Sequence, residues 1–152
     1  MNSMQSNSTR TARQWIDALE LQPHPEGGHY SEFWRSQIRL PGTVLGRPDE
    51  TVRNAGTAIH FLLTAEQESR AHKVSSDELW ILIAGDPLLI ESATTSEGPW
   101  APVTLSHEGM QVQALVPANT WQRARPASAS VGWTLCVCVV VPGFDFADFE
   151  MA

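Results

Sequence analysis

The chain has 152 residues, 18% of them charged and 42% hydrophobic, with a formal charge of −7 at pH 7. That length suits one core burying about 70% of the surface of the unfolded chain, and the composition excludes a disordered polymer. Ten Lys and Arg against seventeen Asp and Glu offer no basic surface to a polyanion, so neither nucleic acid nor acidic lipid is an expected partner. No apolar run approaches the roughly 20 residues of a membrane helix.

The opening "MNSMQSNSTR" lacks the apolar core of a secretion signal, so export is not expected. We read residues 1–10 as a flexible tail and 11–152 as one domain of a cytoplasmic protein. "TARQWIDALEL", residues 11–21, sets Ala12, Trp15, Ile16 and Leu19 at helical spacing and predicts one short amphipathic helix, stopped by Pro23 and Pro25. "PHPEGG", residues 23–28, then reads as a rigid lead-in: the prolines restrict the backbone and Gly27 and Gly28 permit positive φ. It lacks the lysine and following helix of a phosphate loop. His24 and His29 have no pre-set common face, so a metal role is not assigned to them. In "HYSEFW", Tyr30, Glu32 and Trp34 share one strand face.

From there to the C-terminus the chain is a series of short apolar or alternating runs, among them "TAIHFLL", "RAHKV", "ELWILIA", "LLIES", "VTLSH", "TWQRA" and "GWTLCVCVVV". Many short strands with almost no helix between them predict an all-β sandwich or barrel. Residues 40–56 could be a mobile loop or a two-strand excursion. Cys136 and Cys138, at i and i+2 of a strand, read as buried thiols in a reducing compartment. "PGFDFADFEMA" is expected to fold back on the body through Phe144, Phe146 and Phe149.

The chemistry is concentrated in "SRAHKVSSDELWILIAGDP", residues 69–87. If "SSD" is a hairpin turn and Val74 pairs with Glu78, His72 and Glu78 share one wall, an imidazole and a carboxylate suited to acid–base work. Trp80 lies on the face of Glu78, where an indole can stack on a ring. His60, in "AIHFLL", could add a third imidazole if its face points inward. A packed core histidine is the commoner outcome for such a position.

The spacing of His72, Val74, Glu78 and Gly85 resembles the first cupin motif, H-x-H-x(3,4)-E-x(6)-G, with valine in the second histidine's place. "VPANTWQ", residues 116–122, is similar to the second motif, P-x-G-x-x-H, with Asn119 for its glycine and Gln122 for its histidine. Together with "LQPHPEGGHYSEFWRS", "AGDPL" and "VVPGFDFADFE", these residues resemble the small single-domain cupins known only as a domain of unknown function. The resemblance implies a double-stranded β-helix, or jelly roll, with a ligand cavity in its mouth and assembly as a homodimer. It also implies a candidate site: His72 and Glu78 as catalytic groups, with His60, Trp80, Gln122 and Tyr30 around a ligand. Valine cannot ligate and an amide is a weak donor, so no metal or other cofactor is expected. The functional expectation is a metal-independent isomerase or epimerase acting on a sugar or other small polar molecule. The alternative is a non-catalytic binding or sensing module, and a metal-dependent dioxygenase ranks last.

Overall fold

A computed structural model describes residues 9–48 and 50–152; the tail expected at the N-terminus lies outside the described residues up to residue 8. Helix α1 (Ala12–Ala18) starts on a capping box, in which the Thr11 hydroxyl accepts from the Gln14 amide and the Gln14 side chain accepts from the Thr11 amide. Trp15, Ile16 and Leu19 then press on Leu62, Trp133 and Leu135. Trp15 meets Trp133 edge to face, with ring centroids 6.0 Å apart.

Strands β1 (Gln22–Pro23), β2 (His29–Arg35), β3 (Arg39–Pro41), helix α2 (Gly42–Leu45), β4 (Val52–Asn54), β5 (Thr57–Thr64), β6 (Ser69–Val74) and β7 (Asp77–Gly85) follow in order. They continue with β8 (Leu88–Ala93), β9 (Ala101–Leu105), β10 (Gln113–Val116), β11 (Trp121–Pro126), β12 (Trp133–Val141) and β13 (Phe149–Met151). One sheet has the order β1-β2-β5-β12-β7-β10 and the other β13-β6-β11-β8-β9. Every pairing is antiparallel. The architecture is the expected all-β jelly roll. The described residues between 40 and 56 form the two-strand excursion, β3 pairing with β4 after α2.

Alternation places the core. On β7, Glu78, Trp80 and Leu82 are buried while Leu79 and Ile81 are only half-buried; on β12 the same rule turns Cys136, Cys138 and Val140 inward. Phe61, Leu63, Trp80 and Leu82 from one sheet interlock with Leu88, Ile90, Leu105 and Ala124 from the other.

One expected pairing is corrected. β6 and β7 do not form a hairpin: β6 lies between β11 and β13, and β7 between β12 and β10. The turn at Ser75 and Ser76 carries the chain from one sheet to the other, held where Val74 O accepts from Asn119 N at 2.8 Å and Asp77 Oδ1 accepts from Ala118 N at 2.8 Å. The edge of β6 is thereby left for the C-terminus, whose Phe149 and Met151 pair with Val74 and His72. The chain end does fold back, as expected.

Candidate functional site

A cavity of about 360 Å³ opens at one end of the sandwich, lined by His24, Glu26, Tyr30, His72, Val74 and Glu78 at its depth and by Glu32, Arg35, Phe144, Asp145 and Phe146 toward its rim. Its floor begins in "PHPEGG". Gly27 and Gly28 adopt φ of 115° and 72°, and a Cβ at Gly27 would lie 2.0 Å from the Glu68 carbonyl oxygen. At Gly28 it would lie 2.7 Å from the Leu62 carbonyl oxygen, so only glycine lets the turn press this closely on β5 and the start of β6. The backbone then locks, with Glu26 O accepting from Arg70 N at 2.8 Å and His24 N donating to Gly28 O at 2.9 Å. Glu26 is driven inward by this turn and is only 6% exposed.

Glu26 meets His72 there. Oε2 lies 3.1 Å from His72 Nε2, and Oε1 accepts from the Ser69 hydroxyl at 2.9 Å. His72 Nδ1 is 2.7 Å from the Arg70 carbonyl, an oxygen that can only accept, so Nδ1 carries a proton. A single further proton is therefore shared between Nε2 and the Glu26 carboxyl. Burial pushes Glu26 up to about 8, the Ser69 hydrogen bond opposing it in part. Burial also lowers His72, against the pull of Glu78 and the Arg70 carbonyl. Burial thus favours the uncharged form of the pair, with Glu26 donating to a neutral imidazole. His24 completes the floor: its Nδ1 accepts from the Glu26 amide at 3.1 Å. Burial, and secondarily His72 nearby, push it down to about 4.

Glu78 approaches from the other sheet. Its Oε2 accepts from Gln122 Nε2 at 2.7 Å, and Gln122 Oε1 accepts from the Trp80 indole at 2.8 Å. Because an indole can only donate, the Gln122 amide has one possible orientation. Burial raises Glu78 to about 7, His72 opposing, Glu26 reinforcing, and hydrogen bonds from Gln122 and Cys138 holding it lower than burial alone would.

The sequence-based candidates separate accordingly. His72, Glu78 and Tyr30 line the cavity, but His72 and Glu78 reach it from opposite sheets rather than from one wall. Gln122 and Trp80 are buried behind Glu78 and are not liners. His60 is turned to the outer face of β5 by the same alternation that points Ile59 inward, and packs 4.3 Å from Phe33 between ring centroids. Of the shared face expected on β2, Tyr30 and Glu32 line the cavity. A bulge between Glu32 and Trp34 then breaks the register, so Arg35 lines the cavity in place of Trp34.

Glu26 and His24 were missed as site residues. The signal was present, a carboxylate between Pro25 and two glycines, but it reads as a turn until the turn is seen pressed against β6. Phe144, Asp145 and Phe146 come from the returning C-terminus. Phe149 behind them stacks on His72 at 5.4 Å between centroids.

The metal set of three imidazoles and one carboxylate that the motif resemblance brings to mind is not matched here. Val74 presents an alkyl group to the cavity, Gln122 has its oxygen on Trp80 and its nitrogen on Glu78, and His72 Nε2 faces Glu26. Among the described residues no three His, Cys, Asp or Glu side chains converge as a metal-holding group. The donor set does not fit a cupin metal.

Among the described residues no helix is long and apolar enough to cross a membrane. A comparison with curated proteins found no match. Solved structures do resemble the chain. A hypothetical protein from Leishmania major is 33% identical over 94% of this chain and 88% of its own, with a TM-score of 0.81. A protein from Shewanella oneidensis is 31% identical over 95% of this chain and 85% of its own, with a TM-score of 0.79. An uncharacterised protein with a double-stranded β-helix domain from Klebsiella pneumoniae, 14% identical over 90% of this chain and 93% of its own at a TM-score of 0.58, shares the fold. The family described as "Cupin superfamily (DUF985)" matches residues 13–152. With the motif order, the jelly roll and the cavity between its sheets in agreement, the chain belongs to this cupin family.

Proposed function

We propose that the cavity belongs to a metal-independent proton-transfer enzyme of the isomerase or epimerase type acting on a small polar molecule. The observation that carries this reading is the 3.1 Å approach of His72 Nε2 to Glu26 inside the cavity, with Glu78 facing it from the other sheet. Moving a proton off one side of a carbon and returning one to a neighbouring atom or the opposite side needs two acid–base groups on different walls. The buried pair supplies one and Glu78 the other. Glu78 at about 7 is close to half-ionised at neutral pH, the condition under which one carboxyl both takes and gives a proton efficiently. The Glu26–His72 pair can give its shared proton to the substrate while Glu78 takes one from it, so the protonation of the site as a whole is unchanged over the step and both groups re-equilibrate with water between turnovers. Arg70's carbonyl fixes the tautomer by holding Nδ1–H. A binding or sensing module, in which the same cavity holds a ligand without turnover, is the competing reading.

The test is solvent exchange. The full chain is incubated in deuterium oxide with a panel of small hydroxy-aldehydes and hydroxy-ketones, and mass spectrometry follows a gain of one mass unit at the carbon next to the carbonyl. Exchange of at least one member is expected, falling roughly 100-fold or more in both His72→Ala and Glu78→Gln. Panel members that bind without any exchange would overturn the reading in favour of the binding module.

A further inference from the structure

The charge balance of the cavity is one-sided. Four carboxyl side chains line it, Glu26, Glu32, Glu78 and Asp145, against one permanent cation, Arg35. That guanidinium is already engaged: Nε donates to Glu32 Oε1 at 2.6 Å, NH2 to Glu32 Oε2 at 3.0 Å and to the Phe144 carbonyl at 3.1 Å, and NH1 to Asn54 Oδ1 at 2.9 Å. One of its five N–H groups is left over. The two imidazoles, His24 and His72, are held neutral by burial and offer no positive charge. A phosphate or carboxylate entering this cavity would lose its hydration and find almost nothing to replace it.

Aromatic side chains share the remaining wall with Thr57, Ile59, Val74, Cys138 and Val140. Tyr30, Phe144 and Phe146 line the cavity. His24 packs edge-on against Tyr30 at 4.5 Å and Phe144 against Phe146 at 4.9 Å between centroids, which fixes the rings as a collar. Rings of this kind attract a cation through their quadrupoles, and more strongly where water is excluded.

From the carboxyl-lined depth and the aromatic collar together, we infer that the cavity selects a small organic cation, an alkylated ammonium group on a short polar body, over a neutral or anionic ligand of the same shape. This names the ligand class of the site assigned above and rests on that cavity being the substrate site. Glu26 and Glu78 supply the charge on demand. Near neutrality and without ligand Glu26 is largely protonated and Glu78 about half so, and an entering cation draws both toward ionisation, so binding releases protons. Asp145 is partly engaged at the rim, accepting from Ala147 N at 2.8 Å and lying 3.8 Å from Arg53. Glu32 is held by Arg35. The deep carboxyls therefore decide the selectivity.

The experiment is a calorimetric titration of the full chain with three isosteres: choline, the neutral 3,3-dimethyl-1-butanol and the anionic 3,3-dimethylbutyrate, each in phosphate and in Tris buffer at pH 7. Choline is expected to bind at least tenfold more tightly than the alcohol, with an enthalpy that differs between buffers because protons are released, and the acid is expected not to bind. Glu26→Gln together with Glu78→Gln should bring choline down to the alcohol, while Phe146→Leu should weaken choline roughly fivefold more than it weakens the alcohol. Equal affinity for choline and the alcohol, preference for the acid, or no binding by any of the three overturns the inference. Cation selectivity with no solvent exchange would sink the proton-transfer reading alone. Exchange with no cation selectivity would sink this inference alone.

Discussion

The two ends of the sandwich interior share β5, β7 and β12 and the same alternation, and they could hardly differ more. At one end Phe61, Leu63, Trp80, Leu82, Leu88 and Leu105 fill the space between the sheets. At the other, Glu26, His72 and Glu78 leave a cavity. The boundary is one side chain, Gln122, which is fully buried and bonds the indole of the packed end to the carboxyl of the open end. The comparison shows that strand geometry decides only which residues face inward. Whether they close into a core or keep a site open is decided by their size and polarity, and by who hydrogen-bonds to whom.

The largest break in this contrast comes from the packed end. Trp80→Ala removes a side chain only 1% exposed and leaves the Gln122 oxygen without its donor. It is expected to destabilise the fold by about 3–5 kcal/mol, measured by chemical denaturation. A loss below about 1 kcal/mol would mean that the two ends are not mechanically distinct.

The open end should instead announce itself through pH. Glu26 is raised from 4.5 to about 8 and Glu78 from 4.5 to about 7. The folded state therefore holds protons that the unfolded chain has already lost, so these groups reduce stability as pH rises through that window. His24, lowered from 6.5 to about 4, acts in the opposite sense and costs stability as pH falls below 6.5. Between pH 6.5 and 8 the carboxyls act alone. The melting temperature is expected to decline across that interval, and Glu26→Gln, whose amide can still donate to His72, should flatten the decline. A melting temperature unchanged by pH in the wild type would contradict the shared proton.

The smallest effect is expected where the fold puts a candidate outside. His60→Ala, on the outer face against Phe33, should cost less than about 1 kcal/mol and leave binding to the cavity unchanged in the calorimetric titration. A binding defect would mean that His60 reaches the cavity after all.

Much of the fold was legible because it rests on local rules. Alternation in "ELWILIA" and "TLCVCVVV" marks strands wherever they end up. The proline pair and the Trp15–Leu19 spacing mark one helix and its stop. The site was only half legible. His72 and Glu78 were singled out first by a hairpin that the fold does not form and then by the spacing of a known motif, and Tyr30 because it alternates on β2. The hairpin inferred between β6 and β7 failed because "SSD" looks the same whether the chain turns back on its own sheet or crosses to the other. Trp34 was displaced by a bulge, which adds a residue without leaving a mark in the hydrophobic pattern.

What the sequence by itself determined is the set of short strands, the N-terminal helix, the family resemblance and the presence of a histidine and a glutamate meant for the interior. Residues near in the chain set those, through steric limits on φ and ψ and the two-residue period of a strand. Only the tertiary structure decided that Glu26, forty-six residues before His72, would share its proton. It also decided that Phe149 would stack on that imidazole from the far end of the chain and that Gln122 would close the core rather than line the cavity. Those choices depend on which strand edges meet. A carboxyl and an imidazole acquire their shifted affinities for a proton only when the surrounding chain has removed the water between them.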